Sequence, residues 1–179
     1  MKVILISGHA GSGKDTAAML MKMGLEDRKK RVLICHYADL VKHVCRSFFN
    51  WNGEKDELGR SLLQYVGTDV VRARNPDYWV DFLLDMFHFF EHEWDFCIIS
   101  DTRFTNEVTK MKSQFDAYHL RISRPNFKSK LTKQQQNHPS ETELDGLEPD
   151  GWLINDGTIK DLQQKVNKIL DTMEDSNHA

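Results

Sequence analysis

A chain of 179 residues fits one domain and at that length buries about two thirds of its surface on folding, so it does not depend on a disulfide scaffold. Hydrophobic residues make up 40% and charged residues 28%, with 4 Pro and 10 Gly, which excludes collagen-like, low-complexity and strongly disordered chains. A formal charge of -3 and a pI near 6.2 give no general attraction to nucleic acid or anionic membrane, so an anionic ligand has to be met by a local cluster of cations.

Lys2 to Ser7 is a short, nearly unbroken β-rich apolar run, the pattern of a strand covered on both faces of a parallel sheet. It is far shorter than a membrane span of about 20 residues, so neither export nor membrane insertion is expected. Residues 13–28 read as a helix, with Ala17, Leu20, Met21 and Leu25 near helical spacing. Residues 32–37 read as a second strand, 38–49 as a helix and 50–59, with Gly53 and mixed charges, as a surface loop. Helices are expected over 61–72 and 77–91, split at Asn75-Pro76 because proline disfavours helix at the residue before it.

A strand at 94–100, a helix at 105–114 and a strand at 117–122 follow. Residues 123–139 are polar, basic and rich in Gln without a sustained period, and are expected to be mobile. Residues 152–155 form a last short strand, Asp156-Gly157 a turn, and Thr158 the N-cap of a helix ending near Met173. Alternating strands and helices define an α/β class. Cys35, Cys45 and Cys97 lack metal or redox spacing and sit in apolar surroundings, which fits free thiols in a reducing cytoplasm.

Gly8-His9-Ala10-Gly11-Ser12-Gly13-Lys14 matches G-x-x-x-x-G-K and lies between the first strand and the first helix, where phosphate binding requires it. Glycines let backbone N–H groups wrap around phosphate oxygens, the helix N-terminus adds partial positive charge, and a lysine reaches the terminal phosphates. The residue after Lys14 is Asp15 and the hydroxyl comes one position later, at Thr16. That Gly-Lys-x-Thr spacing resembles the nucleoside monophosphate kinases and points away from switch GTPases, whose Asn-Lys-x-Asp motif is missing.

Asp101 ends an apolar strand, which in a parallel sheet puts it at the carboxyl edge beside the glycine loop, and Arg103 follows. Asp101 is placed to orient Mg2+ or its waters, or else to cap the next helix; Arg103 offers a fork to a second phosphate. Arg121, Arg124, Lys128, Lys130 and Lys133 cluster around the polar stretch, either as a solvated face or as a basic lid. His88-Phe89-Phe90-Glu91-His92 matches an inverted zinc-protease pattern but shows no third ligand. Ser140 and Glu143 have capping-box spacing.

Together these residues resemble the bacteriophage-type deoxynucleoside monophosphate kinases. The likeness runs through Ser12-Gly13-Lys14-Asp15-Thr16, Tyr37-Ala38-Asp39 with Lys42, Gly67-Thr68-Asp69 with Arg72, Trp79-Val80, Asp101-Thr102-Arg103 with Asn106-Glu107, His138-Pro139-Ser140-Glu141 and Asn155-Asp156-Gly157-Thr158. It implies a P-loop kinase of three-layer α/β/α form. A core of about 1–36, 94–122 and 150–175 would carry an acceptor-binding helical region at about 37–92 and a mobile lid at about 123–145. The implied reaction moves the γ-phosphoryl group of ATP to a deoxynucleoside 5'-monophosphate (dNMP), with Mg2+, in a bacterial or phage-infected cytoplasm.

The resemblance assigns Gly11, Ser12, Gly13, Lys14, Asp15 and Thr16 to the ATP phosphates and Ala38, Lys42, Asp69, Arg72 and Trp79 to the acceptor. Asp101 and Arg103 come between the two nucleotides, Arg124 closes from the lid, and Asn155, Gly157 and Thr158 border the adenine. Asp15, Thr16 and Asp101 are the candidates for Mg2+, directly or through water. Trp79 or Tyr37 would stack on the acceptor base. The partner is a small-molecule nucleotide, with no nucleic acid or membrane, and a homodimer stays open. Alternatives are a kinase of the dephospho-coenzyme A or phosphomevalonate kind, or a noncatalytic P-loop module binding nucleotide or nucleic acid. Lys14→Ala is expected to lower kcat severely while circular dichroism shows an intact fold.

Overall fold

The computed structural model describes residues 1–175, with side chains described to residue 173. Strands β1 Lys2–Ser7, β2 Val32–Cys35, β3 Phe96–Ile99, β4 Asp116–Ser123 and β5 Gly151–Ile154 form one parallel sheet in the order β2-β3-β1-β4-β5. Parallel neighbours need long crossovers, and helices supply them. These are α1 Lys14–Asp27, α2 Ala38–Phe49, α3 Glu57–Gln64, α4 Tyr78–Phe90, α5 Thr105–Gln114, the one-turn α6 Lys133–Gln136 and α7 Pro139–Thr142, and α8 Ile159–Asp175. A π-helical segment, Tyr65–Arg72, continues α3, and a 3-10 turn, Glu143–Gly146, follows α7.

Alternation along β1 divides the core between the two faces of the sheet. Val3 and Leu5 join Cys97 and Ile99 beneath residues of α2, α4 and α5, including Val41, Leu84 and Met111. Ile4 and Ile6 join Ile98, Leu120 and Ile122 beneath α1 and α8, through Ala17, Met21 and Leu170. With β1 central, its carboxyl end meets the carboxyl ends of β3 and β4, and the loops that leave all three converge there.

Several boundaries differ from the sequence expectation for identifiable reasons. β2 stops at Cys35 because the Tyr37 and Ala38 N–H groups turn off the sheet to donate to Asp101. The expected loop at 50–59 ends early, since Asp56 caps α3 by accepting from the Gly59 N–H, and Trp51 is buried rather than exposed. The single helix expected over 61–72 is α3 followed by the wider π-helical turn. Within the polar stretch, Thr132 caps α6 and the buried Gln135 donates to Glu57 O and Ser61 Oγ, so this segment crosses to α3. His138, not Ser140, caps α7, and Glu143 accepts from the Thr105 N–H instead of closing a capping box. Thr158 does start α8, paired with Asp161. The three cysteines are free thiols.

Candidate active site

The loop between β1 and α1 holds its shape through backbone conformations that favour glycine. Gly8 has φ 137, and a Cβ there would run into the Ile122 carbonyl oxygen; Gly13 has φ 99 and lies against the Asn155 side chain. Asn155 Nδ2 donates to Ser12 O at 2.9 Å, which ties the end of β5 to the loop. α1 opens at Lys14, so its first N–H groups and positive end face the loop. The Lys14 ammonium donates to Gly8 O at 2.6 Å and His9 O at 3.0 Å. Burial, then the neighbouring Arg103 charge, lowers Lys14 to about 8.

A cleft of about 660 Å³ opens beside this loop, lined by Lys14, Asp15, Lys42, Arg72, Asp101 and Arg103 among others. Asp101 spends both carboxylate oxygens on backbone, accepting the N–H groups of Tyr37 and Ala38 at 2.9 Å each. It therefore anchors the start of α2, a helix far earlier in the chain, rather than capping the next one. Asp15 accepts a hydrogen bond from Ser100 Oγ at 2.8 Å through Oδ1, while Oδ2 has no protein donor among the described residues. Lys42 donates to Asp39 at 2.7 Å, and Ala38 lies at the α2 N-terminus.

Arg72 is almost buried. It donates to Pro76 O at 3.0 Å, to Asn106 Oδ1 at 3.4 Å and to Glu107 Oε1, with its guanidinium 3.9 Å from the Phe104 ring centroid. Glu107 also accepts the Arg103 and Phe104 N–H groups. Burial raises Glu107 to about 7, opposed by Arg72 and the two amides. Arg103 donates to Ser140 O and Glu141 Oε1. Glu141 in turn accepts the Ala10 N–H of the glycine loop at 2.9 Å, and the charge of Arg103 and these hydrogen bonds hold its carboxyl below the usual range despite burial. Glu141 also borders a second cavity of about 510 Å³ that reaches Ser12, Arg124 and Phe127.

The expected residues are not all gathered here. The wider turn of the π segment leaves Gly67, Thr68 and Arg72 on the cleft, while Asp69 is exposed and faces His138 at 3.4 Å. Thr16 is exposed on α1 and outside the lining of the cleft. Trp79, 3% exposed, donates to Gly67 O at 2.9 Å, and Tyr37 is 4% exposed; both belong to the wall, so neither offers an open ring face for stacking. Arg124 lies over Phe127 at 5.1 Å in the second cavity. Gly157 and Thr158 stay at the start of α8, and only Asn155 of that turn reaches the loop. Arg121 is buried against Leu144 O and Asp145, away from the basic face expected of it.

Glu107, Glu141 and Ser100 were not assigned roles from sequence. The available signals were the spacing of Glu107 four residues after Arg103 and the presence of Glu141 in the His138–Glu141 match. No group of three or more His, Cys, Asp or Glu side chains is arranged to hold a metal among the described residues. His88 instead bonds Gln114 at 2.6 Å, and α4 ends at Phe90, before Glu91 and His92, so the inverted zinc pattern is broken.

The deoxynucleotide monophosphate kinase family model matches residues 35–166. A protein of Acanthamoeba polyphaga mimivirus, provisionally named deoxynucleotide monophosphate kinase, is 28% identical over 99% of this chain and 100% of its own. The deoxynucleotide monophosphate kinase of Enterobacteria phage T4 is 32% identical over 62% of this chain and 44% of its own. Dephospho-CoA kinase from Campylobacter jejuni shares the fold, with a TM-score of 0.55, 11% identity and coverage of 96% of this chain and 97% of its own.

A lysine at about 8 that meets a polyphosphate must be protonated to bind it well. Free enzyme below that pH already carries the ammonium; above it, binding has to take up a proton. ATP affinity measured by calorimetry is therefore expected to fall by up to about tenfold per pH unit above that value, with proton uptake in the same window.

Proposed function

The chain belongs to the deoxynucleotide monophosphate kinase family, and from that premise we propose that its cleft transfers the γ-phosphoryl group of ATP to a dNMP, giving dNDP and ADP. It is a phosphotransferase of P-loop kinase fold. The observation that carries the reading is the meeting of Lys14 and the glycine loop with Arg72 and Arg103 around one cleft.

Lys14 and the loop amides would hold the donor phosphates, and Arg72 with the α2 end of the cleft would hold the acceptor phosphate. Arg103 stands between them. The acceptor needs no protein base, because a phosphate monoester with a second pKa of about 6 is already mostly dianionic at neutral pH. One of its oxygens attacks the γ-phosphorus as the bond to the β,γ-bridging oxygen breaks, and ADP carries away that electron pair. The obstacle is repulsion between two anions, which fixed cations offset while they hold the reacting oxygens in line.

The donor set fits Mg2+ in one respect: Asp15 has an oxygen free of protein donors beside Lys14, and no all-protein cage surrounds it among the described residues. Mg2+ commonly keeps its waters and takes one or two carboxylates with substrate phosphates, so Asp15 would hold it, with Asp101 committed to α2. When bound, the ion neutralises charge on the phosphate oxygens.

Residues 123–145 would act as the lid. Its Glu141 accepts from Ala10 and Arg103, two donors suited to an incoming phosphate, so nucleotide entry would require that carboxylate to move away. Lid closure over both nucleotides would then keep water from taking the phosphoryl group. Chromatography after incubation with ATP, Mg2+ and each of dGMP, dTMP, dCMP and dAMP is expected to show dNDP and ADP in equal amounts. Turnover of dephospho-coenzyme A alone, or of no acceptor, would overturn the proposal.

A further inference from the structure

We infer that Glu107 is a positioning residue of the acceptor site, its one carboxylate fixing the Arg72 side chain and the Arg103 backbone in a set relation. The inference rests on the reading of the cleft as the acceptor site. Glu107 lies on the first turn of α5 and is 1% exposed. Oε2 accepts the Arg103 N–H at 2.7 Å and the Phe104 N–H at 3.1 Å, while Oε1 accepts from Arg72 Nη2. The two arginines come from separate parts of the chain, the π-helical segment and the β3–α5 loop, and this side chain hydrogen-bonds to both.

The other Arg72 contacts complete the clamp. Pro76 O and Asn106 Oδ1 take both Nη1 donors and Phe104 lies under the guanidinium, so Nε–H and one Nη2–H remain without a protein acceptor among the described residues. Asn106 is itself held by Nδ2 donating to Pro76 O at 2.9 Å and to Asp77 at 2.7 Å. A buried ion pair is a weak source of stability compared with apolar packing of similar volume, so its presence in the wall of a cleft is better explained by orientation of a ligand-binding charge. A guanidinium already fixed binds a phosphate without the cost of ordering a long side chain.

Glu107→Gln separates this role from general support of the fold. An amide has one acceptor oxygen, enough for the Arg103 and Phe104 N–H groups or for Arg72, but not for both sets. The expected result is a rise in KM for the dNMP of about tenfold or more, with KM for ATP changed less than about twofold and a cooperative melting curve retained. A merely structural residue would shift both constants together. Arg72→Gln and the double variant Arg72→Gln/Glu107→Gln provide the second arm, because removing both charges avoids leaving one buried alone. In the Arg72→Gln background the single amide oxygen introduced at position 107 is free to keep the Arg103 and Phe104 N–H groups, so the second substitution is expected to change KM for dNMP by less than about twofold.

Wild-type KM for dNMP in Glu107→Gln would overturn the inference. If that variant does not fold, a change of more than about twofold in KM for dNMP between Arg72→Gln and the double variant would overturn it instead. Absence of dNMP phosphorylation by the wild type would reject the acceptor-site reading itself, which is a different outcome.

Discussion

Lys14, Arg72 and Arg103, which line this cleft, are each held by acceptors of their own chain, and those pairings set where the charges stand. Lys14 uses the carbonyls of Gly8 and His9, Arg72 uses Glu107, and Arg103 uses Glu141. The acceptors differ in kind. Carbonyls are neutral acceptors for Lys14, whereas Arg72 and Arg103 are each paired with a glutamate side chain. Glu107 is locked into the first turn of α5 by two backbone N–H groups; Glu141 sits on the one-turn α7, within the segment that crosses the cleft. On the proposed reading the first carboxylate stays as scaffold and the second yields to the nucleotide.

The sheet explains why these groups meet. With β1 central between β3 and β4, the glycine loop, Asp101 and Arg103 emerge at neighbouring carboxyl ends. Asp101 then reaches across to the Tyr37 and Ala38 amides and draws the start of α2 to the same edge, bringing Lys42 with it. The π-helical segment adds Arg72 by widening the turn that follows α3. Two cavities result, and the Glu141 carboxylate stands where they adjoin.

Periodicity made the sheet and its main helices legible, because burial on both faces leaves β1 and β3 as apolar runs and alternating helices force parallel crossovers. The glycine loop was legible for the same reason: its spacing has one efficient structural use. What sequence concealed was the choice of partner. Nothing local distinguishes Asp101 as cap of a helix 63 residues earlier from Asp101 as cap of the next one. The π turn likewise leaves no signature in residue type, so Asp69 could not be told apart from Thr68 or Arg72 as a cleft residue. Glu107 and Glu141 carry no role in the sequence until the fold sets arginines against them.

On the proposed reading Glu141 gives way to phosphate, so its charge is the quantity to remove. ATP titrated by calorimetry into the wild type and Glu141→Gln at equal pH and salt tests it directly. Loss of the competing carboxylate should tighten ATP binding by about tenfold, the scale of one charge-assisted hydrogen bond surrendered on entry. Equal or weaker binding in Glu141→Gln would mean that this carboxylate does not compete with the nucleotide for Ala10 and Arg103, and would contradict the account.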